Sequence, residues 1–449
     1  MRCAAIERLG KRYEGDLETV WERPKKGMMR FGAFCFPATG HINPMTALAR
    51  SLELRGHKVI LFGIADTEER VRAAGIEFHC IGAEEYPAGT LARLDERMAD
   101  LKGIATLRFT LERVRNTARM VLRDGPRAVR QAGVEALLVD EADFAGNVAD
   151  HLGMPWISIA LLPPLLHDDR FPPFWLGWAA REDWLGRLRN RLAIELLLRI
   201  GAPIFREISA QRIAWGLKPY ERPEDGLSTL AQITQLPEEF EFPLRGPKPP
   251  GLYYTGPFVH ARQRPAVEFC WERLDRRPLI YASLGTFQNG SETIFRVIAE
   301  ACEGLDAQLL ISLGGGLDPA QLGPLAGAPL VVRFAPQLEI LKLAALVITH
   351  AGINTALESL AEGVPMVAVP LGNDQPGVAA RVAARGAGVV VSRHRLTPRR
   401  LRKAIRLVLE HGSYREAARK LQEAIQRIDG PGRAAELIEE VVERQRVRV

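Results

Sequence analysis

The sequence predicts an α/β protein of two doubly wound, Rossmann-like domains, each a parallel sheet with helices on both faces, meeting across a cleft. Three observations carry this. The chain has 449 residues, more than one compact core accommodates. Short apolar runs alternate with amphipathic stretches, and the alternation restarts in the second half. A Pro-rich stretch, "FPLRGPKPPGLYYTGP" from Phe242 to Pro257, separates the two series. The expected boundaries are an extension at 1–27, a first domain at 28–242, a linker at 243–264, a second domain at 265–430 and a final helix at 431–449.

The elements follow in order. Residues 1–27 are charged and lack the apolar core of a signal peptide. Met28 and Met29 stand directly before the first strand, so translation is expected to start there, leaving 1–27 as a disordered or artefactual extension. "FGAFCF" reads as a buried strand. "NPMTALARSLELRGH" reads as a helix with Asn43 as N-cap, Pro44 in the first turn and Gly56 at the end. Between them, "FCFPATGHINPM" places His41 in a Pro/Gly-bounded loop at the carboxyl end of a strand, where doubly wound sheets bind ligands. A working histidine fits that position; the alternative is a helix-start histidine bonded to backbone. "KVILFGI" and "GVEALLVDEAD" are further strands. After Pro278, "LIYASLG", "AQLLISLGG", "PLVVRFA", "ALVITHAG" and "PMVAVPL" repeat the grammar.

Composition narrows the function classes. Hydrophobic residues make up 47% and charged residues 25%, as in soluble globular proteins. The net charge of +6 suits an anionic ligand, an anionic membrane surface or nucleic acid, or reflects arginine-rich composition alone. Five scattered cysteines without a CxxC pair argue against a zinc site or disulfide framework and fit a reducing cytoplasm. The longest uncharged stretch, Leu152 to His167, is shorter than the roughly 20 residues of a spanning helix, and three prolines interrupt it. "DEAD" (140–143) spells a helicase box, but the chain has no GxxxxGK[ST] loop, so no nucleic-acid partner is expected. "HDDR" (167–170) lacks supporting ligands, and no metal is expected.

The segment "RFAPQLEILKLAALVITHAGINTALESLAEGVPMVAVPLGNDQPG", Arg333 to Gly377, is the most informative. A strand ends at Thr349 and a helix begins near Asn354. Gly352, Asn354 and Thr355 then lie at a helix N-terminus, which favours an anion. His350 can add a donor to a phosphate oxygen. Glu358, one turn along the same face, is placed for a pair of ribose hydroxyls. Together they describe a nucleotide diphosphate site; a plain strand–loop–helix turn is the alternative.

This segment resembles the donor-binding signature of the UDP-sugar-dependent glycosyltransferases with the GT-B fold. "APQ", "THAGINTALES", "GVPMVAVP" and "DQ" occur in the family's order. The resemblance implies that Phe334 stacks on uracil, that Ala335 and Gln337 meet base or ribose, and that Glu358 binds the ribose hydroxyls. It implies that His350, Gly352, Asn354, Thr355 and, in "YASLGT", Thr286 hold the diphosphate. Asp374 and Gln375 would bind the sugar, and a glutamine there is associated with glucose. Many plant members carry tryptophan at the positions of Phe334 and Ile353. Phe334 can still stack; Ile353 removes a ring beside the sugar. "NDQPGVAARV" most resembles the bacterial carotenoid, zeaxanthin-type glucosyltransferases.

The resemblance also gives His41 a role. "GHINP" is similar to the family's loop after the first strand, whose histidine is the general base. A hydroxyl is a poor nucleophile, and neutral imidazole is suited to removing its proton during attack on the anomeric carbon. A single displacement inverts that carbon. A carboxylate is expected behind the imidazole: Asp140 first, Asp143 as runner-up. Trp175 and Trp178, in "FPPFWLGWAAREDWLGRLRNR", are candidates for the acceptor pocket. Aromatics beside arginines there also suit a peripheral membrane contact, at the inner face for a cytoplasmic protein; an ordinary packed helix is the alternative. Arg393 to Arg406 holds seven basic residues and no acid, a solvated face or a patch for anionic lipid or donor. Residues 431–446 read as a helix with Leu437, Ile438, Val441 and Val442 on one side; in the family it crosses back to the first domain.

The expectation is therefore an inverting hexosyltransferase, a UDP-glycosyltransferase with no cofactor. It would move a hexose, glucose first, from a UDP-sugar to a hydroxyl of a small hydrophobic acceptor: carotenoid, sterol, polyketide or phenol. The rivals are a GT-B nucleotide-sugar epimerase and a non-catalytic nucleotide- or acceptor-binding partner. The residues define neither the acceptor nor the oligomeric state.

Overall fold

Continuous apolar runs make parallel strands that are covered on both faces, and the chain forms two such sheets. The structure, a computed structural model, describes residues 27–100, 104–166, 168–259, 267–286 and 291–448. Residues 1–26 of the expected extension lie outside these, as does His167.

The first domain runs β1 (Arg30–Phe34), α1 (Thr39–Leu54), β2 (Lys58–Gly63), α2 (Glu68–Ala73), β3 (Glu77–Cys80), α3 (Thr90–Asp100), α4 (Ile104–Ala132), β4 (Ala136–Asp140), α5 (Gly146–Leu152), β5 (Trp156–Ala160), α6 (Trp184–Ala214), β6 (Gln232–Thr234) and β7 (Leu252–Tyr254). Its sheet has the order β3-β2-β1-β4-β5-β6-β7, parallel throughout, with Phe34 of β1 in register with Val139 of β4. The strand order reverses between β1 and β4, so the crevice for a ligand opens at their carboxyl ends.

The second domain repeats the plan with β8 (Leu279–Ser283), α7 (Glu292–Cys302), β9 (Gln308–Ser312), α8 (Pro319–Leu322), β10 (Leu330–Val332), α9 (Gln337–Leu341), β11 (Ala344–Thr349), α10 (Ile353–Ala361), β12 (Met366–Ala368), α11 (Gln375–Ala384), β13 (Gly388–Val390), α12 (Pro398–Glu410) and α13 (Gly412–Gln426). Its sheet order is β10-β9-β8-β11-β12-β13. The reversal here lies between β8 and β11, which ends in the "THAGIN" loop.

The connection between the domains is less simple than a linker. Leu236 and Phe240 are buried in the core of the second domain, yet the chain then returns to lay down β7 beside β6 in the first sheet. β7 therefore falls inside the segment 243–264, where the flanking prolines hide three strand residues. The final helix, α14 (Gly430–Arg448), packs back on the first domain. Ala434, Ala435, Leu437, Ile438 and Val442 share a core with α1, and Glu439 accepts hydrogen bonds from Arg55 at 2.7 and 2.9 Å.

One local expectation is corrected. Asn43 is not an N-cap: α1 starts at Thr39 after Ala38 in extended conformation, so His41 sits in the first helical turn and Pro44 inside the helix. Proline has no N–H to give the carbonyl four residues earlier, which argues for a helix starting at Pro44. Here that carbonyl, Gly40 O, is satisfied from outside the helix.

Candidate active site

His41 and Asp140 come from the two strands that flank the switch point of the first sheet. Asp140 is the last residue of β4, and His41 lies in the first turn of α1 after β1. The His41 Nδ1 to Asp140 Oδ2 distance is 2.6 Å. The same oxygen accepts the Phe36 N–H at 3.1 Å, and Oδ1 accepts the Ala142 N–H at 3.1 Å. A carboxylate only accepts, so Nδ1 carries the proton and Nε2 keeps its lone pair. Both residues are buried, Asp140 almost completely. Burial pulls the His41 imidazole toward its neutral form, but the Asp140 charge and hydrogen bond outweigh it and the pKa is raised.

The other two acids of "DEAD" have different tasks. The Asp143 carboxylate accepts the N–H groups of Phe144 and Ala145 at 2.7 and 2.9 Å, closing the turn into α5. Glu141 accepts from Leu165 N at 2.8 Å and from Gln232 Nε2 at 2.5 Å. Burial pushes both carboxyls up to about 7. Asp140 is thus the carboxylate that faces the imidazole.

Across the cleft, the loop after β11 leads into α10 with Gly352 as its N-cap residue in extended conformation. Ala351, just before it, has φ +65, a left-handed conformation that a residue with a Cβ adopts at a cost. His350 is enclosed by glycine backbone: a Cβ on Gly285, whose φ is +75, would lie 2.6 Å from His350 Cε1. Burial lowers the His350 pKa to about 4, against a hydrogen bond to the Ser283 backbone, so the imidazole is neutral. Thr355 is buried in the first turn of α10, and Thr286 is exposed after β8. Glu358 is buried on α10 and accepts from Gln337 Nε2 at 2.7 Å, while Gln337 Oε1 accepts from the Tyr281 hydroxyl at 3.0 Å. Phe334 is 46% exposed; Gly315 lies against its ring and the Arg333 guanidinium is over the ring, 5.8 Å from its centroid. Ala335 is half-buried beside it.

The Gln375 side chain is held by Leu371 N and Gly372 N at 2.7 and 3.0 Å. Asp374 is buried with Oδ2 lacking a hydrogen-bond partner among the described residues. Burial raises its carboxyl to about 6, and the nearby His41 charge opposes the rise. Asp374 and His41 thus interact across the cleft.

Asn354 ties the two halves together. Its Nδ2 donates to Gly40 O at 2.8 Å, the carbonyl that Pro44 leaves free. Its Oδ1 accepts from Gln235 Nε2 at 3.2 Å, and Gln235 also donates to Leu161 O at 2.6 Å. The sequence points Asn354 at phosphate and Pro44 at a helix start; it does not show Gln235, or that Gly40 O, left free by Pro44, meets Asn354. The available signal was a proline inside a helical pattern and a buried-strand glutamine in "AQITQL". A net hydrogen bond is worth about 1 kcal/mol. Asn354→Ala is therefore expected to raise the donor KM about fivefold or more, measured by steady-state kinetics.

Trp175 and Trp178 do not join this cluster. They line an open groove of about 650 Å³ with leucines of α6, and Arg189 lies over the Trp178 ring at 4.5 Å. Among the described residues, no group of three or more His, Cys, Asp or Glu is arranged to hold a metal ion.

Two Rossmann-like sheets, with a histidine–aspartate pair at one switch point and a helix N-terminus at the other, make up the GT-B architecture. The solved structure of the glycotransferase of kitacinnamycin has the same fold, with a TM-score of 0.73 over 93% of this chain and 100% of that one at 23% identity. The chain belongs to the UDP-glucoronosyl and UDP-glucosyl transferase family, whose model matches residues 184–431; residues 38–139 match the N-terminal domain of glycosyltransferase family 28. It is 33% identical to the zeaxanthin glucosyltransferase of Pantoea ananas, over 92% of this chain and 96% of that protein. The zeaxanthin glucosyltransferase of Pseudescherichia vulneris is likewise 33% identical, over 92% and 98%. The chain is thus a UDP-glycosyltransferase.

Proposed function

We propose that the protein transfers glucose from UDP-glucose to a hydroxyl of a small hydrophobic acceptor, with carotenoids favoured by its similarity to two zeaxanthin glucosyltransferases. The observation that carries the mechanism is the 2.6 Å contact between His41 Nδ1 and Asp140. It leaves the Nε2 lone pair free as a base. The acceptor oxygen forms a bond to the anomeric carbon as the bond from that carbon to the UDP oxygen breaks. The hydroxyl proton goes to Nε2, the bonding pair leaves with UDP, and the anomeric configuration inverts. Asp140 steadies the imidazolium.

On the donor side, the N-terminus of α10 and His350 would bind the diphosphate, Thr286 adding a contact. Glu358, held by Gln337, would take the ribose hydroxyls and Phe334 the uracil face. The unpartnered Asp374 oxygen and Gln375 would take sugar hydroxyls. The leaving charge is then met by fixed dipoles rather than by a required metal.

The test is UDP release from UDP-glucose with zeaxanthin, phenols, sterols and macrolides. Acceptor-dependent release with a β-glucoside product supports the proposal. UDP release without any acceptor would favour the epimerase reading. Independently, UDP at about 100 times its Kd should stabilise the protein by about 2.7 kcal/mol, read as a rise in Tm. An unchanged Tm would remove the donor-site assignment.

A further inference from the structure

The first half of α6 presents an apolar face that nothing among the described residues covers. Leu185, Leu188, Leu192 and Leu196 recur every three or four residues, the spacing of one helix stripe. They are 50, 43, 60 and 60% exposed, and Trp184 at the start of the helix is 71% exposed. Single exposed leucines are ordinary; a continuous stripe beside a groove marks an interaction surface. Trp175 and Trp178 form the far wall of that groove.

The charge around the stripe identifies the occupant. Between residues 184 and 200 there are four arginines, at 187, 189, 191 and 199, and one acid, Glu195. Glu195 is already paired with Arg199 at 3.1 Å. Arg187 and Arg191, one turn apart and exposed, run beside Leu188 and Leu192; Arg191 also pairs with Asp169 at 2.6 Å. A leucine stripe with tryptophans at its edge and arginines along its flank is the composition of a surface that lies in the headgroup region of an anionic bilayer. Leucine and indole enter the acyl boundary while guanidinium groups remain with the phosphates. No helix among the described residues is long and apolar enough to cross a membrane, so such contact would be peripheral.

We infer that the leucine face of α6 docks this protein on an anionic lipid bilayer. The placement suits the reaction. Phe174 and Gly177, on the segment that carries the groove tryptophans, lie against Gly377 and Pro376 at the start of α11, directly after Asp374 and Gln375. The docked face therefore adjoins the donor side of the cleft, and an apolar acceptor would reach it from the bilayer without crossing much water. Lipid binding itself does not depend on the acceptor being correctly assigned.

The experiment is co-sedimentation of the purified full chain with vesicles of phosphatidylglycerol and phosphatidylcholine, and with phosphatidylcholine alone. The expected result is binding to the anionic vesicles that weakens with salt. Leu192→Glu/Leu196→Glu should lower it at least about tenfold, and Arg187→Ala about fivefold. Both variants should keep the wild-type Tm and gel-filtration volume, which separates lost docking from lost folding. Three results would overturn the inference. They are no binding to anionic vesicles at low salt, unchanged binding by the leucine variant, and a dimer that the leucine variant dissolves, which would assign the stripe to a second copy of the chain.

Discussion

His41→Ala is expected to lower acceptor-dependent UDP release by about 10²- to 10⁴-fold, while the UDP-induced rise in Tm persists. The two readouts separate because the proposed base is in the first domain and the proposed diphosphate contacts are in the second. Asp140→Asn should cost about 10³- to 10⁴-fold. The single amide oxygen can take the place of Oδ2 and accept from His41 Nδ1 and Phe36 N, but the NH2 group then meets the Ala142 N–H that Oδ1 now accepts. The Tm of the variant is therefore read beside its activity, and the imidazole loses its charge partner. The pH profile distinguishes a catalytic pair from a structural one. His41 works unprotonated, and its pKa is raised because Asp140 outweighs burial. The acid limb of kcat/KM should therefore lie above the ordinary histidine value of about 6.5. In Asp140→Asn burial is opposed only by the smaller Asp374 charge, so the limb should move down. An acid limb that stays in place would remove Asp140 from the mechanism. The same raised pKa makes His41 a source of stability at low pH, fully present below about 6.5 and lost as pH rises through the folded value.

The features legible in the sequence are those set by strand ends. The positions of His41 and of the acids of "DEAD" follow from the rule that parallel strands present their carboxyl ends to a crevice; the preference for Asp140 comes from the family resemblance. The "THAGIN" loop follows from the same rule in the second sheet. What stayed hidden depends on contacts between distant segments. Asn43 and Pro44 imitate a helix start, and only a donor 314 residues away, Asn354, allows the helix to begin earlier. Asp140 and Asp143 are equivalent by spacing; they separate once Asp143 turns to cap its own loop. β7 is three residues long among prolines, too short for periodicity to show. The tryptophans near residue 175 signal an apolar surface, but their spacing alone does not say whether that surface faces the cleft or solvent.

A second large effect is expected far from the proposed chemistry. Arg381 on α11 is 2% exposed, an unusual environment for a guanidinium. Its Nε donates to Glu241 Oε1 at 2.7 Å and one terminal nitrogen to Gly377 O at 3.2 Å. The guanidinium also lies over the Phe242 ring at 4.6 Å. Glu241, equally buried, ends the short turn whose Phe240 plugs the second core, so this pair fixes the path of the chain between the domains. Arg381→Met keeps the bulk but leaves a buried carboxylate without its cation, which costs about 3–5 kcal/mol. For a domain of this size that corresponds to a fall in Tm of roughly 8–15 °C. Replacing both partners, Arg381→Met with Glu241→Leu, removes the stranded charge, and most of the lost stability should return. Scanning calorimetry of the two single variants and the double variant gives the coupling directly. A double variant no more stable than Arg381→Met would mean that the arginine acts through Gly377 O and the Phe242 ring instead. The start of α11, with Asp374 and Gln375, would then be held by those contacts rather than by the ion pair.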